Sequence, residues 1–221
     1  IPPQDVRAAA LALIDAVPFF PQGTVHLAVV DPGVGGDRKP LAARKDGHFF
    51  IGPDNGVFSG FLPGEYVLEL DRPELFLPRV SRSFHGRDLF APVAARLAAG
   101  KSLRELGSPL ADPVIIELPR ARKSGDAVAG EVVAVDRFGN LITCIRREDL
   151  QAVRLLEDLC ITVGSITIRG LRRTYADARE GEMLALVGSG GYLEISCNRG
   201  SAVDKAGLGR EAVVVIERAS L

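Results

Sequence analysis

The stretch "VHLAVVDPGVGGDR", Val25 to Arg38, decides the reading of the fold. Apart from His26, Val25–Val30 is an apolar, β-branched-rich run, the pattern of a strand buried on both faces of a parallel sheet. Asp31 stops that run. Pro32 then fixes φ while Gly33, Gly35 and Gly36 tolerate positive φ, so a tight loop leads on to Arg38. Ligands gather at the carboxyl ends of strands in open α/β sheets, which makes this junction the first candidate site.

Outward from it, residues 4–17 place Val6, Ala9, Ala10, Leu13 and Val17 on one stripe, predicting a helix that ends at Pro18. Strand 24–30 follows. Two short apolar runs, 41–44 and 48–52, flank Lys45-Asp46-Gly47 as a hairpin would. A further strand, 66–70, and a helix over 89–99, stopped by Gly100, complete a mixed first half. The fold class expected here is α/β, a mostly parallel sheet with flanking helices. After Asp112-Pro113 the texture changes to short strands at 114–118, 130–135, 141–145, 159–163, 165–168, 182–187, 192–197 and 211–216. Helical patterns remain only at 147–155 and 201–208. That spacing predicts an all-β barrel or sandwich, so the chain is divided into domains 1–110 and 111–221.

Composition narrows the function. With 221 residues, 47% of them hydrophobic, there is ample material for buried cores. A formal net charge of −1 provides no field to attract a polyanion, which disfavours nucleic acid as a partner. No apolar stretch approaches the roughly 20 residues of a membrane span, so no membrane is expected. Cys144, Cys160 and Cys197 are odd in number and lack any C-x-x-C pair, which fits free thiols in a reducing compartment, the cytoplasm.

Three strand-to-loop junctions in the first half carry reactive side chains: Asp31 with Arg38, Asp54 with Asn55, and His85 with Arg87 and Asp88. An acid, a guanidinium and a histidine in one pocket suit proton handling, because histidine titrates near neutrality while the others orient it. Each has an ordinary alternative: a turn acid at Asp31, a solvated charge at Arg38, a helix cap at His85. His26, within an apolar run, reads as a satisfied core histidine, and His48, beside Gly47, as solvent-facing. The glycines of 33–36 lack the spacing of a phosphate loop, and three scattered histidines form no metal-ligand pattern. In the second half, Asp136-Arg137-Phe138-Gly139-Asn140 and Ser189-Gly190-Gly191-Tyr192 read either as hairpin turns or as a binding set, with Phe138 able to stack on a heteroaromatic ring and Asn140 able to pair with a base edge.

Five ordered stretches, "VVDPGVGGDR", "GPDNG", "SFHGRDLFAPVAA", "VDRFGNLIT" and "GSGGYLEISCNRGSA", closely resemble the S-adenosyl-L-methionine (SAM) hydroxide adenosyltransferases, adenosine-forming SAM hydrolases related to fluorinase and chlorinase. The resemblance implies an α/β domain, a β-barrel domain and a homotrimer with active sites at subunit interfaces. It also implies SAM as substrate with no cofactor and no metal, and Asp31, Arg38 and His85 as a water-activating triad. By the same resemblance Phe138 stacks on adenine, Asn140 bonds it, Asp136 meets the methionine amino group and Ser189 its carboxylate. Tyr192 and Asn198 line or support the pocket, and Asp54 and Asn55 lie near the site. Halide-using relatives carry a serine where His85-Gly86 stands here, which favours hydroxide; Cys144 stands where many relatives have asparagine. The family's first strand and a T-D-F-G-like segment with a ribose-gripping aspartate would precede Ile1. Two alternatives accompany this reading, a halide-dependent SAM halogenase and a SAM- or adenosine-binding regulatory protein without turnover.

Overall fold

The computed structural model describes residues 1–152 and 159–218. They fall into two compact units, Ile1–Leu118 and Pro119–Leu221, against the boundary of 110/111 read from the sequence.

The first unit is a five-stranded sheet between helices. Helix α1 (Val6–Ala16) starts where the Asp5 carboxylate accepts from the Ala8 N–H. The sheet contains β1 (Val25–Leu27), β2 (Pro40–Lys45), β3 (His48–Pro53), β4 (Tyr66–Glu69) and β5 (Ser108–Pro109), in spatial order β1-β3-β2-β4-β5. Alternate residues of the central strands face opposite layers. Leu41, Ala43 and Phe50 pack with Ala9 and Val17 on the α1 side. Ala42 and Ile51 pack with Phe90, Val93 and Leu97 on the side of helix α2 (Ala91–Ala98). Burial on both faces explains the unbroken apolar runs in β2 and β3.

The α/β class with flanking helices holds, with one correction of detail. The sheet is mixed, not mostly parallel: only β1 and β3 run parallel, and β2–β3, β2–β4 and β4–β5 are antiparallel. The cause is local. Asp46 and Gly47 have φ of 49° and 78°, the two positive values of a two-residue hairpin turn, and such a turn can only join antiparallel neighbours. Strand β1 is also shorter than predicted and lies at the end of the strand order, leaving Leu27 and Val29 exposed instead of doubly buried. The expected strand at 114–118 does not form. That stretch is an extended strap held by side chains of the first unit, with the Val114 N–H donating to Asp54 Oδ1 (2.8 Å) and the Ile116 N–H to Ser59 Oγ (2.9 Å). His48 is buried, not solvent-facing, and its Nδ1 lies 3.1 Å from Nε2 of the buried His26.

The second unit is an eight-stranded, nearly closed antiparallel barrel. Its strands are β6 (Arg122–Ser124), β7 (Ala127–Val135), β8 (Leu141–Arg146), β9 (Leu159–Val163), β10 (Ile166–Arg169), β11 (Met183–Val187), β12 (Tyr192–Cys197) and β13 (Val213–Arg218). The order is β10-β9-β13-β7-β8-β12-β11, with β6 beside β7. A single bridge, Arg172 to Leu186, brings the chain after β10 against β11. Leu159, Ile161 and Val163 of β9 and Val214 and Ile216 of β13 alternate inward to join Val128, Leu141, Ile145, Leu193 and Ile195 in the core. Two short helices, α3 (Arg147–Ala152) and α4 (Ala202–Ala206), complete it, and the predicted continuation of the former to residue 155 lies outside the described residues. All three cysteines are free thiols.

Candidate functional site

The loop after β1 turns back on itself. The Val34 N–H donates to the Asp31 carbonyl and the Gly36 N–H to that of Gly33. Gly35 has φ of 78°, and a Cβ on it would overlap the Arg82 carbonyl, so no other residue fits where this loop meets the chain before His85. The outcome is that Arg38 reaches Asp31. Its Nε donates to both carboxylate oxygens at 3.0 Å and an NH2 nitrogen lies 2.5 Å from Oδ2. The two side chains are only 10% and 5% exposed, and the guanidinium lies 5.2 Å from the centroid of the buried Phe90 ring. This is the planar two-pronged fit that arginine makes with a carboxylate.

The same NH2 nitrogen lies 2.8 Å from His85 Nδ1, so Asp31, Arg38 and His85 form one continuous chain of contacts. Guanidinium nitrogens only donate, which makes Nδ1 the acceptor and puts the proton of the neutral imidazole on Nε2. Burial, and then the adjacent Arg38 cation, hold His85 below its ordinary value of 6.5, against the opposing pull of Asp31 and Asp88.

His85 immediately precedes a π-turn, Gly86–Phe90, that runs into α2. Pro92 removes the N–H that would have bonded the Asp88 carbonyl four residues back, and the Leu77 N–H takes its place at 2.8 Å. The Asp88 carboxylate accepts from the Ser81 N–H (2.8 Å) and from Arg87. The bonds from the Leu77 and Ser81 N–H groups fasten the segment 77–84 that leads to His85.

Asn55 stands behind Asp31. Its amide donates to the Val30 carbonyl (2.8 Å) and accepts from the Val57 N–H (3.2 Å), so it steadies the strand end that carries the acid. Asp54 is buried and anchors the 114–118 strap; burial pushes its carboxyl above the ordinary range, more than the Val114 N–H and Lys39 lower it.

In the second unit, Asp136 organises the turn between β7 and β8. Oδ1 accepts from the N–H groups of Phe138 and Asn140, and Oδ2 accepts from the Asn140 amide. Phe138 projects from the turn at 79% exposure, while Asn140 is buried. Gly139, with φ of 82°, packs so closely on Ser201 that a side chain would collide. Ser189 lies in the exposed turn between β11 and β12, closed by a Gly191 N–H to Gly188 carbonyl bond of 3.0 Å. Tyr192 is 9% exposed. Asn198 donates to the Ala178 carbonyl at 2.7 Å and braces the 178–182 loop. Pairing sets Leu141 opposite Ile195 and Arg146 opposite Tyr192. The Phe138 and Ser189 turns therefore cap opposite ends of the β8–β12 pair, about 17 Å apart at roughly 3.4 Å per residue. Cys144 is buried, its sulfur accepting from the Glu131 N–H at 3.3 Å, and burial raises its thiol pKa.

Arg146, Tyr175 and Glu194 were not among the residues singled out from the sequence. Tyr175 donates to Glu194 Oε2 at 2.9 Å and is pushed up to about 12, by burial first and then by Glu194. Nothing local marks these residues, because each acquires its partner across the barrel sheet.

The chain matches the SAM hydroxide adenosyltransferase N-terminal domain over residues 1–107 and the C-terminal domain over residues 130–215. It belongs to that family. It is 41% identical to an (R)-S-adenosyl-L-methionine hydrolase of Thermus thermophilus, over 94% of this chain and 81% of that protein. A fluorinase of Nocardia brasiliensis is more distant, at 30% identity over 90% of this chain and 78% of the fluorinase. The fold is similar to the crystal structure of an uncharacterized conserved protein from Thermotoga maritima, with a TM-score of 0.92 and 33% identity, covering 99% of this chain and 86% of that one. Among the described residues no helix is long and apolar enough to cross a membrane.

Proposed function

We propose that this protein hydrolyses SAM to adenosine and L-methionine, by in-line attack of water at the ribose C5′. The observation that carries the reading is the assembled Asp31–Arg38–His85 chain in a member of this family. Methionine leaves as a neutral thioether and needs no acid. The difficulty lies with the nucleophile, because bulk water has a pKa of about 15.7. Arg38 fixes the imidazole with Nε2–H outward, and that N–H holds the oxygen of the attacking water. The guanidinium and the sulfonium of the substrate lower the cost of hydroxide character there, and the proton departs to solvent as the C5′–O bond forms and the C5′–S bond breaks. The reaction as written uses no metal and no cofactor, since neither leaving group nor nucleophile is left without a partner.

In this reading Phe138 stacks on adenine and Asn140 bonds its edge, while Ser189 meets the methionine carboxylate at the other end of the β8–β12 pair. Tyr192 and Asn198 support the pocket. Asp136, both of whose oxygens accept from its own turn, shapes the adenine end, and Asn55 and Asp54 support the strand ends. The protein acts in the cytoplasm, a setting supported by three free thiols. It works as a homotrimer whose sites combine the first unit of one subunit with the second of its neighbour, in keeping with the family resemblance.

Incubation with SAM in ¹⁸O-water tests the reaction. Adenosine labelled at the 5′ oxygen, with methionine released, is expected. Unlabelled adenosine would sink water attack at C5′, unchanged SAM that nevertheless binds would make this a binding protein, and halogenated 5′-deoxyadenosine on adding chloride or fluoride would make it a halogenase.

A further inference from the structure

We infer that Arg146 takes up the carboxylate of the substrate's amino-acid portion and so sets selectivity for SAM over decarboxylated SAM. This rests on the substrate reading above. Arg146 is the last residue of β8 and stands opposite Tyr192 in the pairing with β12. An NH2 nitrogen donates to the Tyr192 hydroxyl at 2.5 Å, and the guanidinium carbon lies 4.7 Å from the centroid of the ring. Two contacts of different kind thus hold a long, exposed side chain in one orientation, so that little rotamer entropy remains to be lost when a ligand binds.

The place where it is held matters. A Cβ on Gly190 would lie 3.4 Å from the Tyr192 ring, so the ring stands beside Gly190, next to Ser189 in the turn that closes this end of the sheet. The guanidinium therefore flanks the turn that carries Ser189, at the end of the β8–β12 pair remote from Phe138 and Asn140. Among the described residues no carboxylate forms an ion pair with it, and Asp149 accepts only its backbone N–H. A guanidinium has five donors in a fixed fork, of which one nitrogen serves Tyr192. The remainder suits a planar acceptor approaching from solvent. At the end of the site where the amino-acid portion is placed, the group of that chemistry is its carboxylate.

The test compares SAM with decarboxylated SAM, which keeps the sulfonium and C5′ but lacks the acid, by calorimetric binding and steady-state turnover. The unaltered full-length protein is expected to prefer SAM. Arg146→Gln is expected to raise Kd and KM for SAM about tenfold or more, the scale of losing a hydrogen bond to a charged group. Decarboxylated SAM should change by less than about twofold, so the preference collapses, and Arg146→Lys should restore part of it. A purely structural role would weaken both ligands alike and leave the ratio unchanged; that outcome, or equal affinity of the unaltered protein for the two, overturns the assignment while leaving SAM hydrolysis intact. If the unaltered protein neither binds nor hydrolyses SAM, the substrate reading falls and the assignment with it.

Discussion

Arg38→Gln is the perturbation that tests the triad most directly, because Arg38 is the member touching both others. In the folded protein its guanidinium makes three contacts of 2.5 to 3.0 Å with Asp31 and a fourth of 2.8 Å with His85. Glutamine is too short and too narrow to span both. Asp31, whose side chain is 5% exposed, is then left without its cationic partner. Breaking a buried pair from one side costs about 3–5 kcal/mol, and this should appear as a lower urea midpoint. The second consequence has a definite sign. Burial is the largest effect that lowers the pKa of His85 and Arg38 is the one charge that lowers it further, whereas the charges of Asp31 and Asp88 raise it. Removing Arg38 leaves burial in place and only the raising charges, so the pKa of His85 must rise. The protein has three histidines, so their ring protons can be followed one by one in an NMR titration. Turnover should fall at least about 10²-fold as the imidazole loses its fixed tautomer. A His85 pKa that stays put or drops would refute the claim that Nδ1 faces the guanidinium. Stability within about 1 kcal/mol of the unaltered protein would show that Asp31 is not the buried partner described.

Four other outcomes are expected. His85→Ala should reduce turnover about 10²–10³-fold, the scale of losing one hydrogen-bond donor to the developing charge, with little change in SAM affinity, and activity within a few fold would remove it from the mechanism. Phe138→Ala should leave the urea midpoint within about 0.5 kcal/mol, since the ring is exposed, yet weaken SAM binding by the roughly 1–3 kcal/mol of a lost base stack; unchanged affinity would take Phe138 out of the adenine site. His26 is held below its usual 6.5 by burial and then by His48, so the unfolded chain takes up the proton first and stability falls as pH drops below 6.5; the slope of unfolding free energy between pH 7 and 5 should be shallower in His26→Gln, and an unaltered slope would count against the buried pair. Asp54→Asn keeps an oxygen for the Val114 N–H and removes a charge that burial disfavours, so the Tm at pH 8 should hold or rise, with the advantage disappearing in acid; a clear loss at pH 8 would mean that the charge is needed.

Elements whose information is local were legible along the chain. The apolar stripe of α1, the Asp46-Gly47 hairpin and the alternation in β9 and β13 each follow from residues a few positions apart. The β1–Asp31–glycine junction and the Phe-His-Gly-Arg-Asp segment pointed to a site for the same reason, since strand ends and permissive glycines write themselves into short stretches. The strap at 114–118 misled because its apolar residues have the composition of a strand but find side-chain acceptors, Asp54 and Ser59, in place of a neighbouring strand. His48 misled because a hairpin position says nothing about the parallel strand that covers it.

The sequence by itself determined most of the strands and helices, that two units of different texture follow one another, and which acid, guanidinium and imidazole were available. Only the tertiary structure decided that Arg38 lies between Asp31 and His85, that β1 is the single parallel neighbour in a mixed sheet, and that Arg146 rests on Tyr192. The physical reason is distance along the chain. Helical and turn preferences act over about four residues, whereas Arg38 and His85 are 47 positions apart and Arg146 and Tyr192 are 46. Such pairs are brought together by burying both faces of one sheet and closing the other into a barrel, not by any preference of the residues themselves.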